Sequence, residues 1–195
     1  VVVGIPRGGV PVAAEVARAL DAPLDIAVVR KIGAPRNSEY AIGAVAEGGV
    51  RLFSDKAVSA LRIPKAELRS LVADAERELD RRLRDYRGAR EQIELAGHTA
   101  ILVDDGLATG STAVAALRSL RERGAKRVIL AVPVAARASA RALLGEADEV
   151  VSVETPEDMY AVGFWYEDFQ PTTHEEVKAL LRERHESNDH SGPAA

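Results

Sequence analysis

Apolar residues fall along this chain in short runs that alternate with stretches of helical spacing. The run Val1–Ile5 predicts a buried strand. Val12, Ala13, Val16, Ala17 and Leu20 then keep the spacing of one helix face, and Pro11 suits that helix's first turn. Leu24–Val29 predicts a second strand. Residues 31–40 are polar, with Gly33, Pro35 and Asn37, and predict a mobile loop. Ala41–Ala46 and Val50–Phe53 flank Gly48-Gly49, a hairpin signal. Over residues 64–87 the apolar positions Leu68, Leu71, Val72, Ala75, Leu79, Leu83 and Tyr86 mark one face of a long amphipathic helix.

The same alternation resumes further on. Strands are predicted at Ala100–Val103, Val128–Val132 and Val150–Val153, with helices at Ser111–Arg123 and Ala138–Leu144 between them. Residues 155–172 read as irregular and hold Tyr160, Phe164, Trp165, Tyr166 and Phe169. A last helix is expected from Thr173, with Glu176 completing a capping box, and then a frayed polar tail over 186–195. Strand–helix alternation of this kind predicts an α/β fold: a doubly wound, mostly parallel sheet with helices on both faces. The expected organisation is one domain over 1–185 with a helical insertion at 54–97. The chain opens inside an apolar run and its single Met is Met159, so a further N-terminal element is expected to precede it.

Composition narrows the chemistry. The 195 residues carry 26 Lys and Arg against 30 Asp and Glu, a net charge of −4, so no general electrostatic case exists for nucleic-acid or anionic-membrane binding. No apolar run approaches the ~20 residues of a membrane span. With no Cys, disulfides, thiolate metal sites and a Cys nucleophile are excluded. No signal peptide is visible, and a cytoplasmic location is the expectation.

In open α/β sheets ligands sit beyond the carboxyl ends of the strands, so the strand-to-helix turns are the places to look. The stronger of two is Ile101-Leu102-Val103-Asp104-Asp105-Gly106-Leu107-Ala108-Thr109-Gly110-Ser111-Thr112. Residues Ala108–Thr112 offer consecutive backbone N–H groups, hydroxyls and the positive end of a helix dipole, which suits a phosphate monoester. Two carboxylates ~6 Å apart repel by roughly 3 kcal/mol at an effective dielectric of 20, so Asp104 and Asp105 are not there to hold the phosphate. As acceptors beside a phosphate cradle, they suit the vicinal hydroxyls of a sugar. The loop is neither a Walker loop, since Ser111 stands where Lys is needed, nor a dinucleotide fingerprint. The second turn, Gly4-Ile5-Pro6-Arg7-Gly8-Gly9-Val10-Pro11, joins a permanent cation to two glycines that allow close approach.

The twelve-residue string resembles the 5-phosphoribosyl-1-pyrophosphate (PRPP) motif of the type I phosphoribosyltransferases. That resemblance implies transfer of a phosphoribosyl group from PRPP to a nitrogen acceptor, with release of pyrophosphate. It implies that Asp104 and Asp105 hold the ribose hydroxyls and that Ala108, Thr109, Gly110, Ser111 and Thr112 bind the 5′-phosphate. Arg7, Gly8 and Gly9 correspond to the pyrophosphate loop. Arg30 and Lys31 start a flexible loop that closes over the site, with Arg36, Asn37, Ser38, Glu39 and Tyr40 as its lid. Arg30 is expected at the pyrophosphate, and Arg7 and Lys31 join the two acids as catalytic candidates. Mg²⁺ is implied, held mainly by substrate and water near Asp104 and Asp105, with no direct protein metal cluster. His98, His174, His185 and His190 are expected to be solvent or capping residues. One departure is Gly106, where the family usually has an apolar branched residue. Another is Ala108, where 6-oxopurine members carry an acid, which counts against hypoxanthine, guanine or xanthine as acceptor. The aromatic segment is either core or an acceptor hood, with Trp165 and Tyr166 as the stacking candidates. The partners expected are small molecules, PRPP and an acceptor, together with a second copy in a homodimer. The helix over 64–87 is expected to pack on that partner or to cover the sheet. Two alternatives stay open: a non-catalytic PRPP- or nucleotide-sensing protein on the same fold, and an unrelated sugar-phosphate binder.

Overall fold

The computed structural model describes residues 1–88 and 90–189. Its elements follow in the order β1 (Val2–Gly4), α1 (Gly9–Ala19), β2 (Leu24–Ile26), β3 (Val29–Ala34), β4 (Asn37–Ala46), β5 (Val50–Phe53), α2 (Asp55–Ala60), α3 (Lys65–Arg87), β6 (Thr99–Val103), α4 (Ser111–Glu122), β7 (Arg127–Val134), α5 (Arg137–Leu143), β8 (Glu149–Glu154) and α6 (His174–Asp189). Strands β2-β1-β6-β7-β8 form a parallel sheet in that order. Strands β3-β4-β5 form a separate antiparallel sheet.

Successive strand residues point to opposite faces. Val2 therefore packs with Val10, Ala13 and Ala17 of α1 and with Val177 and Leu181 of α6. Its neighbour Val3 packs on the other face with Ala116, Leu117 and Leu120 of α4 and Leu143 of α5. Both valines are fully buried, which is why the first strand reads as an unbroken apolar run. The chain winds from β1 to β2 in one direction and from β6 through β7 to β8 in the other. The order therefore reverses between β1 and β6, and a crevice opens beyond their carboxyl ends.

Two expectations are corrected. The predicted strand Leu24–Val29 breaks after Ile26. Ala27 still donates to the Gly4 carbonyl at 3.0 Å, but from Val29 the chain leaves the parallel sheet to pair antiparallel with β4. The loop predicted over 31–40 is a hairpin instead, with Ala34 paired to Asn37 across Pro35-Arg36. Pro35 pre-sets its own φ, and Arg36 takes the left-handed φ of 64° that closes the turn. Polar residues mislead here because this end of the hairpin is exposed. Only Ile32, Ala34 and Ile42 are buried, against Val72, Ala75 and Leu79 of α3.

Helix α3 runs close to its predicted limits, and it covers the antiparallel sheet while also meeting α6. The α6 capping box forms as expected. Thr173 Oγ1 accepts from the Glu176 amide at 3.2 Å, and a Glu176 carboxylate oxygen accepts from the Thr173 amide at 2.6 Å. Of the tail predicted over 186–195, residues 186–189 continue α6 and the rest, including His190, lie outside the described residues. The irregular stretch 155–172 contains a short 3-10 turn at Val162–Trp165. Its aromatics are not core. Tyr160 is 94% exposed and Phe164 82%. No helix among the described residues is long and apolar enough to cross a membrane.

Candidate active site

The pairing of Gly4 with Val103 sets the β1 turn beside the β6 turn. Contact between them is intimate. A Cβ on Gly8 would sit 1.9 Å from Asp105 Oδ2, and one on Gly9 would sit 2.8 Å from both Asp104 Cα and the Val103 carbonyl oxygen. The glycine pair thus lies bare against the acid pair, which is what a close backbone approach requires. The two positions predict different outcomes. Gly8→Ala meets the Asp105 side chain, so it is expected to displace that carboxylate with the melting temperature little changed. Gly9→Ala meets backbone, and overpacking of this kind costs about 1–3 kcal/mol, read as a lower urea midpoint.

The acids are the electrostatic focus. Asp104 Oδ1 accepts from the Asp105 amide at 2.9 Å, and neither carboxylate has an ion-pair partner among the described residues. Burial first, and the Asp105 charge second, raise Asp104 well above the usual carboxylate range. Burial raises Asp105 as well. Burial thus favours the protonated form of each acid more than water would. Tyr166 closes one side by donating its phenol hydrogen to the Asp105 carbonyl at 2.6 Å. Burial, then the Asp105 and Asp104 charges, push that phenol up to about 12.

Arg7, Gly8, Pro11, Val12, Asp105 and Tyr166 line a cleft of about 550 Å³, closed on its far wall by residues 168–172. The Arg7 side chain is exposed and makes no ion pair among the described residues. On the far wall stand Asp168, Phe169, Gln170 and Thr172, of which only Phe169 falls in the aromatic segment that the sequence singles out.

Downstream of the acids, Leu107 inserts beside Ala135 and exchanges backbone hydrogen bonds with Val134 and Ala136, each 2.9 Å. Ser139 Oγ donates to the Ala108 carbonyl at 2.5 Å. Gly110 adopts φ 75° just before α4, a conformation suited to glycine. The loop Ala108–Thr112 is therefore braced on both sides, and the first amides of α4 have no carbonyl within the helix to meet. Ser111 and Thr112 face a separate recess of about 310 Å³ together with Lys31 and Phe53.

Arg30 and Lys31 part company. Ile32 and Ala34 pack toward α3, and Arg30 shares their face, beside Arg82, Glu78 and Arg81. Lys31 lies on the other face, at the recess of Ser111 and Thr112. Thus the fold brings Arg7, Gly8, Gly9, Asp104, Asp105 and Tyr166 together, sets Lys31 with the loop hydroxyls, and turns Arg30 to α3. Trp165 is partly exposed and lines neither hollow. His174 stacks on Tyr86 at 5.2 Å, and His98 and His185 are exposed. No cluster of three or more metal-ligating side chains occurs among the described residues. A larger hollow of about 670 Å³ between α3 and α6 is lined by Tyr86, Arg87, Arg90, Lys178 and Arg182, away from the acid turn.

Comparison with known proteins agrees with this geometry. A family model described as "Phosphoribosyl transferase domain" matches residues 1–168. The chain is 45% identical over 185 residues, 95% of its length, to "Putative phosphoribosyl transferase Rv0571c" of Mycobacterium tuberculosis H37Rv, and equally to its counterpart in strain CDC 1551. It spans 42% of the length of those relatives. The crystal structure of TT1426 from Thermus thermophilus superposes with a TM-score of 0.79 at 43% identity, covering 93% of this chain and 86% of that one. With its parallel sheet, its paired turns and a family match over most of its length, this chain belongs to the type I phosphoribosyltransferase family.

Proposed function

We propose that this chain binds PRPP and transfers its phosphoribosyl group to a nitrogen acceptor. One observation carries the reading: Gly8 and Gly9 touch Asp105 and Asp104 at the point where the sheet order reverses. A sugar held by the acids then has its C1 substituent beside Arg7 and its 5′-phosphate at Ala108–Thr112.

Each group has a task in that arrangement. The buried carboxylates accept hydrogen bonds from the two ribose hydroxyls, and in doing so recover the solvation that folding took from them. The amides and hydroxyls of Thr109–Thr112 hold the 5′-phosphate at the positive end of α4, and Lys31 adds a cation from the facing sheet. Arg7 and the open backbone of Gly8-Gly9 receive pyrophosphate. As the C1–oxygen bond breaks and the nitrogen–C1 bond forms, positive charge grows on the sugar ring and negative charge on the leaving group. The acids are placed for the first and Arg7 for the second, so catalysis is positional and electrostatic. The donor set also fits Mg²⁺. Two adjacent carboxylates without an ion-pair partner among the described residues suit an ion that takes most of its oxygens from substrate and water. When bound, the ion neutralises diphosphate charge. The acceptor enters from the side of Tyr166 and Phe169.

Calorimetry of the chain with PRPP tests the reading. Binding is expected, and Mg²⁺ is expected to strengthen it. No heat at millimolar PRPP, with or without Mg²⁺, would overturn the proposal. A screen of bases and amines with labelled PRPP then separates a transferase from a sensor, since only the former releases pyrophosphate.

A further inference from the structure

The segment between β8 and α6 makes two contacts with the acid turn and is held together by a third within itself. Gly106 follows Asp105 directly. A Cβ there would lie 2.6 and 2.8 Å from the two methyl carbons of Val162, and 3.2 Å from Val134 Cγ1. So the Val162 methyls rest on bare backbone at the place where this chain departs from its family's branched residue. The apolar bulk is present, but a distant segment supplies it. Tyr166 makes the second contact through its 2.6 Å hydrogen bond to the Asp105 carbonyl. The third is internal. A Cβ on Gly163 would sit 2.8 Å from Phe169 Cδ1, so that ring lies over the Gly163 backbone, and it meets the Tyr166 ring at 5.0 Å.

We propose that Gly106, Val162 and Tyr166 form a latch that fixes the Val162–Phe169 segment to the ribose-binding acids, so that filling the ribose site is transmitted to the acceptor wall of the cleft. Tyr166 is on this view a positioning residue for Asp105, and it carries Phe169 on its other side. The inference rests on the PRPP reading for its ligand. The physical link does not, because the contacts exist in the free protein. Backbone movement at Asp105 either carries the phenol bonded to its carbonyl or breaks that hydrogen bond, and the phenol packs on Phe169 of the cleft wall.

The chain has a single tryptophan, Trp165, next to Tyr166 and inside the latched turn. Its emission is a built-in reporter. PRPP with Mg²⁺ is expected to change Trp165 emission along the same saturation curve that calorimetry records. Gly106→Val expels Val162, so it is expected to abolish that change and to raise acrylamide quenching of Trp165 in the free protein. Adding Val162→Ala in the same chain makes room again and is expected to return quenching to the parent value. Tyr166→Phe keeps the ring and loses only the hydrogen bond. It is expected to raise the acceptor KM about fivefold, the scale of one neutral hydrogen bond, with a smaller effect on PRPP affinity. Calorimetric PRPP binding with unchanged Trp165 emission would overturn the latch while leaving the PRPP reading intact. Unchanged quenching in Gly106→Val would overturn it too. Absence of calorimetric binding in the unaltered protein would instead overturn the PRPP reading, and the transmitted signal with it.

Discussion

Asp104→Asn combined with Asp105→Asn is expected to abolish phosphoribosyl transfer while making the protein more stable. The loss follows from the proposed role. An amide presents half the acceptor capacity of a carboxylate and no charge, so neither the ribose hydroxyls nor the growing positive charge on the sugar is matched. Removing a preorganised electrostatic group costs roughly 10²–10³-fold in turnover, and two such groups acting as a unit cost at least the upper figure. The gain in stability follows from electrostatics. Two partly buried like charges ~6 Å apart repel by roughly 3 kcal/mol at an effective dielectric of 20, and Asn removes that repulsion. The Asp104 oxygen that accepts from the Asp105 amide has an equivalent in Asn, so the turn itself survives. A rise of about 6–12 °C in melting temperature is expected near pH 8.

The pH dependence has a definite sign. Both acids have folded-state pKa values raised above the unfolded value, which is near 4. A raised carboxyl stabilises the fold fully below its unfolded pKa, and that contribution is lost as pH rises through the folded pKa. The parent protein therefore approaches the double variant in stability as pH falls toward 4, and the gap is widest in mild alkali. A gap that stayed constant with pH would show that the acids carry no mutual strain. Full activity in the double variant would show that the sugar lies elsewhere.

Arg87→Leu is expected to cause the largest loss of stability of any single substitution considered. Its guanidinium sits at the centre of a buried network. Nε and Nη2 meet Asp25 at 3.0 and 3.1 Å, Nη2 meets Glu47 at 3.0 Å, and the Ile26 carbonyl accepts at 3.2 Å. Arg123 supplies the balancing charge, 3.1 Å from Asp25 and 3.6 Å from Glu47. All four side chains are nearly closed to solvent. Replacing the pair of ions together is often tolerated, but removing one partner strands a buried charge and costs about 3–5 kcal/mol. Urea unfolding should show that loss. The contrast is Arg81→Ala on the exposed face of the same helix. There the ion pairs to Glu78 and Asp85 are solvated, and an exposed pair contributes about 0–1 kcal/mol. Equal midpoints for the two variants would mean that the network is not a structural tie. Its position explains the size of the effect, since it binds β2, the β4–β5 turn, the end of α3 and the end of α4 at one point.

How much of this is legible in the sequence depends on the range of the forces involved. The five parallel strands and the long α3 were legible because burial is written into local spacing. Val2 and Val3 need apolar neighbours on both faces, and α3 needs one apolar stripe. The hairpin over 31–40 was not legible. Its strands exist through pairing with each other and through three buried positions on α3, while its tip is polar for solvent. The adjacent cations Arg30 and Lys31 look equivalent in one dimension. Strand alternation sends them to opposite faces, and only the identity of the covering elements tells which face meets the loop hydroxyls. The aromatic segment invited a core reading by composition alone, yet what decides its place is the missing side chain at Gly106, a contact partner far away in the chain.

The linear order of residues was enough to establish an α/β chain, two ligand-shaped turns and the charge types each presents, because strand periodicity, glycine placement and helix-start chemistry act over a few residues. That the two turns lie side by side depended on the register of β1 against β6, and the wall formed by Tyr166 and Phe169 depended on packing across the acid turn. Those are long-range contacts, set by which buried surfaces fit together, and no local pattern encodes them.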